Sequence, residues 1–505
     1  MSLTDLADVA DAEAPPGDEP RRYPMRKALA ALALRLHFYA GVFVAPFILV
    51  AAVTGGLYAV APSVESIVNH DLLHVNSTGP ARPLAEQVAA ARGVEPNLAL
   101  AAVDPAQRAG DTTRVLFADP TLGESESRAV FIDPQTAHSV GDRVVYGSTG
   151  ALPLRTWIDQ LHRNLHLGET GRLYSELAAS WLWVVALAGL VLWWRRSRRG
   201  GVRRLLWPDR SRPGRRRTVG WHAAVGVWIL LPLLFLSTTG MTWSTHAGAH
   251  IDRLRQDLSW TTPSVHTTLP GSGPADAHPG EHDHHGSHAV ATGDRDGQLD
   301  TVFAAARSQG LEGPVEIVVP ATGANAFTVK ERRLSGVLSQ DAVAVDGSTG
   351  TVTDTLRYAD WPFAAKLANW GIQLHMGMMF GLANQLLLLA TMIGLLAVIV
   401  RGYLMWWQRR PVRTGQHASF GRLPRRGALR RTPASLLVPL VVVAAAVGWF
   451  APLIGIPLLV FLAVDVLLGL RRRPRTGWEQ LSHTTEPGQA AIHLGSKQPN
   501  RFRCN

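Results

Sequence analysis

Cysteine is almost absent: among 505 residues there is one, Cys504, beside the C-terminus. A disulfide scaffold and a cysteine-ligated zinc or iron–sulfur centre are thereby excluded. Charge is sparse as well, at 18% of residues against 47% hydrophobic. No Walker A sequence, no Gly-x-Gly-x-x-Gly after a strand, no Gly-x-Ser-x-Gly and no His-Glu-x-x-His occurs, so neither nucleotide binding nor protease chemistry is expected. What the chain has in quantity is apolar sequence in runs of about 18 residues or more, long enough to cross a bilayer. The net charge of +11 does not point to nucleic acid, because the arginines crowd into short loops beside those runs.

Residues 1–30 begin acidic and rich in Ala and Pro, which predicts a disordered cytoplasmic tail, not a signal peptide. Apolar runs predict spans near 37–60, 173–194, 220–243 and 380–407. The segment 434–470 is apolar, broken near Phe450-Ala451-Pro452, and flanked by arginines. It is expected to form a TM5–TM6 hairpin, with a re-entrant hairpin as the alternative. The loop 195–217 alone holds eleven arginines, and 409–433 is also arginine-rich. Arginine-rich loops stay cytoplasmic, which places both termini inside and the two long loops, 61–155 and 244–362, outside. Segments 156–196 and 363–408 then each read as an interfacial helix followed by a span. The tail 471–505 is expected in the cytoplasm. The fold class predicted is a membrane α-helical bundle, four core spans in two repeats plus the hairpin, with two small extracytoplasmic α+β modules.

The repeat is legible by offset. His37, Gly41, Thr54 and Gly55 correspond to His222, Gly226, Thr239 and Gly240 at an offset of 185. Asp133, Trp157, Gln160-Leu161-His162 and Trp193-Trp194 correspond to Asp346, Trp370, Gln373-Leu374-His375 and Trp406-Trp407 at an offset of 213. The difference in length therefore lies inside the outer loops. Each loop predicts one short helix, 83–92 and 298–309, and strands at 114–117, 129–132, 315–318, 326–329 and 342–345. Each loop is too short to build much core alone, so the two are expected to pack together.

Four histidines fall at equivalent places: His37 and His222 near the cytoplasmic side, His162 and His375 near the outer side. Seventeen residues of straight helix from His37 to Thr54 would rise about 26 Å, most of the hydrocarbon layer. One such histidine reads as an interfacial anchor or an interhelical polar contact. Two pairs stacked at two depths read as axial ligands for two b-type haems. Thr54-Gly55 and Thr239-Gly240 permit close helix approach, and small residues there would also leave room for a flat macrocycle. His166, one turn past His162, is an alternative ligand; its repeat position is Met379. His278, His282, His284, His285 and His288, with Glu281 and Asp283, form a tract able to bind Cu(II), Zn(II) or Ni(II), or else a solvated insertion. His246 and His250 have metal-compatible i, i+4 spacing that also arises by chance. Asp465 lies in the last apolar run as a polar contact or proton group.

These residues resemble the PepSY-associated transmembrane proteins, also described as iron-regulated membrane proteins, over roughly 30–475. The resemblance is carried by Leu36-His37 with Thr54-Gly55, and by Leu161-His162-Arg163 with Gly168-Glu169-Thr170-Gly171-Arg172. His222 with Thr239-Gly240, Thr242-Trp243-Ser244 and Leu374-His375-x-Gly377 complete it. It implies PepSY-like outer modules, two b-type haems and one-electron reduction of ferric, siderophore-bound iron at a bacterial-type inner membrane. A cytoplasmic electron donor would be needed. The histidine tract keeps another metal open as substrate. Two alternatives remain: a membrane-anchored module that binds or regulates a partner, and a metal sensor using the tract.

Overall fold

A computed structural model describes residues 24–200, 206–208, 211, 213–270, 295–409 and 432–470. The histidine tract, the 410–431 loop and the two terminal tails lie outside the described residues. The chain divides into two compact units, 1–458 and 459–505.

Two helices, α1 (Met25–Phe43) and α2 (Ala45–Val68), occupy the first apolar region. The sequence predicts one straight span there, but the helix breaks at Val44. Pro46 has no N–H to give the carbonyl of Val42. That carbonyl instead accepts the Tyr403 hydroxyl at 2.9 Å, so it is not left unpaired by the break. The third apolar region breaks at the equivalent residue, Ile229, between α7 (Gly214–Trp228) and α8 (Leu230–Met241), which bend by 57°. Ahead of the long α6 (Gly168–Gly200) lies the short α5 (Pro153–Asn164). Ahead of α12 (Leu382–Trp407) lies α11 (Phe363–His375). Helix α6 packs against α1 and α8, and α12 packs against α2 and α7. Their shared core includes Ala40, Ile48, Trp181, Leu233 and Met392.

Among the described residues, three helices are long and apolar enough to cross a membrane, and the bent pair makes four if it is one span. The expected TM5–TM6 segment forms α13 (Ala434–Phe450) and α14 (Pro452–Leu470). Both are apolar but shorter than the helices that qualify as spans. The second unit's described residues, 459–470, complete α14.

Between α2 and α5 the chain forms α3 (His70–Leu73), α4 (Leu84–Val94), β1 (Ala99–Asp104), β2 (Thr113–Ala118), β3 (Glu126–Ile132) and β4 (Ser139–Tyr146). Between α8 and α11 it forms α9 (His246–Asp257), α10 (Leu299–Ser308), β5 (Val315–Val318), β6 (Phe327–Glu331), β7 (Ala342–Val345) and β8 (Val352–Leu356). These are not two separate sheets. All eight strands make one antiparallel sheet in the order β4-β3-β2-β1-β5-β6-β7-β8. The halves join where Ala102 and Val103 pair with Val318 and Ile317. One core runs under both halves, with Val88 and Ala91 of α4 and Val302 and Ala306 of α10 against Val103, Phe117, Ile317 and Phe327.

Polar ties cross the same seam. Arg92 donates to both oxygens of Asp296, at 2.6 and 3.0 Å. Asp300 accepts the N–H groups of Leu84 and Ala85 at 2.7 and 3.2 Å. The first turn of α4 follows Pro83, which offers no side-chain cap, so its cap comes from the other half. Replacing Asp300 with Ala is expected to lower stability by about 1 kcal/mol, the usual cost of a lost N-terminal cap. Thermal unfolding in detergent would measure it.

Candidate functional site

The four repeat-related histidines occupy four different helices: His37 on α1, His222 on α7, His162 on α5 and His375 on α11. Each imidazole is held in the same way, through Nδ1.

His37 Nδ1 lies 2.9 Å from the carbonyl oxygen of Val185, and His222 Nδ1 lies 3.0 Å from that of Val398. A carbonyl only accepts, so each Nδ1 carries a hydrogen, and in the neutral ring each Nε2 keeps its lone pair. Val185 and Val398 are themselves 213 residues apart, the offset read from the sequence. One helical turn beyond each carbonyl stands a glycine, Gly189 or Gly402. A Cβ on Gly189 would come within 3.0 Å of His37 Cε1, and one on Gly402 within 3.8 Å of His222 Cε1. The missing side chain at Gly189 lets the His37 ring lie against helical backbone, whereas at Gly402 a Cβ would make only ordinary contact. The His37 and His222 ring centroids are 6.0 Å apart, with planes at 80°.

His162 and His375 use threonine hydroxyls. His162 Nδ1 is 2.9 Å from Thr54 Oγ1, and His375 Nδ1 is 2.6 Å from Thr239 Oγ1. Each hydroxyl donates its own hydrogen back along its helix, to Val50 or Phe235, at 2.9 Å. The oxygen then accepts from the imidazole, and Nε2 is again left bare. Gly55 makes room for its ring, since a Cβ there would lie 3.0 Å from His162 Cε1; one on Gly240 would lie at an ordinary 3.7 Å from His375 Cε1. Among the described residues, none of the four Nε2 atoms has a hydrogen-bond partner.

His162 and His375 line one cavity of about 260 Å³. Its walls include Ile48, Leu182 and Leu236 from the long helices, and Trp243, whose ring centre is 5.1 Å from that of His375. Arg163, Arg172 and Arg333 supply positive charge. Along α6, Ala178 and Ala179 line this cavity, about ten residues before Gly189. That is about 15 Å of helix, so the two pairs form separate layers. Glu176 also reaches the cavity wall, and its buried carboxylate accepts the N–H groups of His246 and Ala247 at 3.1 and 3.0 Å. It thereby caps α9.

His166 sits elsewhere, in the turn after α5. It is exposed, with φ +55°, and its Nε2 lies 3.1 Å from the carbonyl of Trp157, so that nitrogen is the donor. It does not line the cavity. His246 lies beside Glu176, while His250 contacts the Phe450 carbonyl and stacks on Trp449. Among the described residues, no group of three or more His, Cys, Asp or Glu is placed to hold a metal ion. His278, His282, His284, His285 and His288 lie outside the described residues.

Gly189, Gly402, Arg163, Arg172 and Arg333 were not singled out by the sequence reading. The two glycines share the 213 offset, which could have found them. The arginines carry no repeat signal.

The donor set fits a macrocycle with two axial imidazoles. Each pair would offer such a group two imidazoles whose other nitrogen is already fixed by a hydrogen bond. His162 and His375 lie on helices outside the spanning segments, and burial lowers their pKa values to about 4 and about 3. Both are therefore neutral and able to ligate.

Those values fall below that of a free imidazole, about 6.5. On acidification the unfolded chain gains protons that the folded chain refuses. This stabilisation is complete above about pH 6.5 and is lost as pH falls toward about 4. Melting temperature in detergent is expected to drop between about pH 7.5 and about pH 5, and His375→Gln should make that drop shallower.

No curated protein matches the chain. The family described as PepSY-associated TM region matches residues 34–409. That stretch runs from three residues before His37 to just past Trp407, and it takes in all four histidines and the whole sheet. The chain belongs to the PepSY-associated transmembrane family.

Proposed function

We propose that this membrane protein carries electrons across the bilayer through two b-type haems and delivers them to ferric iron held in a chelate outside. The observation that carries the reading is the common state of the four histidines: each Nδ1–H is tied down, each Nε2 lone pair is free, and they are grouped in two pairs at two depths. Axial ligands are characteristically fixed by a hydrogen bond from the other ring nitrogen. Bound haem would supply a one-electron couple that no side chain at these positions provides.

The chain's own residues do the rest. His37 and His222 hold the inner group, and the Val185 and Val398 carbonyls set their ring orientation. His162 and His375 hold the outer group under the control of Thr54 and Thr239. Ile48, Leu182 and Leu236 give the outer pair an apolar wall. The arginine-rich loops favour a cytoplasmic location for the inner pair, where a separate donor would approach. The sheet lies on the outer side in this orientation. Taking up one electron converts Fe(III) to Fe(II), which hard oxygen ligands hold less tightly.

The test is an absorbance spectrum of the detergent-purified protein, oxidised and dithionite-reduced, with a pyridine haemochrome count. Two haems per chain are expected, one lost in His37→Ala and the other in His375→Ala. A chain produced with ample haem yet lacking a Soret band would overturn the reading in favour of a partner-binding membrane module. The glycines give a graded check. Gly189→Ala should disturb the inner haem spectrum more than Gly402→Ala, since the new Cβ meets its histidine at 3.0 Å in one case and 3.8 Å in the other.

A further inference from the structure

A second cavity, of about 410 Å³, adjoins the one that holds His162 and His375. It opens beneath β5–β7 and beside α9, and its volume falls in the range that admits a small-molecule ligand. Ser148 and Arg333 line both cavities. The junction between them is therefore partly built from one guanidinium.

The charges lining the second cavity are largely matched. Lys330 pairs with Glu316 at 2.9 Å, Arg332 with Asp104 at 2.9 Å, and Arg255 with Asp252 at 3.7 Å. Glu331, also on this wall, forms no ion pair among the described residues and accepts the Asp341 N–H at 3.0 Å. Arg333 likewise has no ion-pair partner. It donates from Nε to the neutral Gln340 side chain at 3.2 Å, and no carboxylate lies within ion-pairing distance among the described residues. Burial lowers its pKa from the ordinary arginine value. Its charge is also felt at Lys330, so two cations share that corner and only one of them has a counter-ion. A desolvated, unmatched guanidinium is costly unless an anion completes it. Nε is engaged, which leaves the Nη groups free for a carboxylate.

We propose that Arg333 is the receptor for a carboxylate at the junction of the two cavities. The carboxylate has two possible sources of the same chemistry. It is a side chain of the outer macrocycle rising from the first cavity, or a carboxylate of a citrate-type metal chelate seated in the second. The first source rests on the haem reading above; the second does not.

The full-length protein in detergent, wild type and Arg333→Gln, would be titrated with gallium(III) citrate, a redox-inert ferric surrogate, by calorimetry. Haem content and midpoint potentials would be measured on the same samples. A loss of about tenfold or more in gallium citrate affinity, the scale of one charge-assisted hydrogen bond, with unchanged haem and potentials assigns the carboxylate to the chelate. Unchanged gallium citrate binding with a lowered potential or reduced content of one haem assigns it to the macrocycle. Arg333→Lys keeps the charge without the fork and should fall between wild type and Gln, which separates anion binding from misfolding. If all three proteins match in affinity, haem content and potential, the proposal fails. If the protein holds no haem but gallium citrate binding still depends on Arg333, the haem reading fails and this one stands.

Discussion

Everything in the membrane part of this protein is arranged around burying four uncharged imidazoles with one nitrogen satisfied and the other bare. A ring nitrogen buried without a partner costs free energy, so the fold must supply four acceptors for the Nδ1–H groups and yet withhold partners from Nε2. It solves this twice over. The inner pair takes main-chain carbonyls from inside long helices, where the second lone pair of the oxygen is still available. The outer pair takes threonine hydroxyls whose own hydrogens are already committed to the preceding turn. Both solutions need the ring close to helical backbone, and in the first repeat Gly189 and Gly55 provide the space.

The helix breaks belong to the same scheme. A straight first helix would carry His37 and Thr54 on one axis. The break at Val44 lets α1 lie against α6 while α2 lies against α12, so a single apolar region serves the inner site with its first half and the outer site with its second. The exposed carbonyl that results is closed by Tyr403 from α12, the helix that also carries Val398 and Gly402. The sheet-bearing part is likewise one body. Its sheet is continuous across the two halves, and the loops after β4 and β6 bring Ser148 and Arg333 to the wall of the outer cavity.

Much of the outer part was readable because alternation of apolar residues marks strands with one covered face. That worked for β2, β3, β5, β6 and β7. Three strands escaped for separate physical reasons. β1, Ala-Leu-Ala-Ala-Val-Asp, is alanine-rich and has weak strand preference; its place at the middle of the sheet comes from pairing with β2 and β5. β4 and β8 are edge strands, largely open to solvent, so burial imposes little apolar pattern on them. The final apolar run reads as breaking near Ala451, and α13 and α14 do meet there, since Pro452 cannot continue the helix before it.

The sequence by itself determined the spacing: apolar runs, arginine-rich loops and a repeat whose two offsets pick out four histidines, since covalent order and hydrophobicity are local properties of the chain. Only the tertiary structure decided which acceptor each imidazole meets, that Gly189 is the space beneath one of them, that His166 faces away, and that eight strands from two distant loops make one sheet. Those depend on contacts between residues more than a hundred positions apart, where helix breaks and seam pairing set the geometry. Arg333 is the clearest case. In the sequence it is one arginine among many; in the fold it is the cation at the meeting of two cavities.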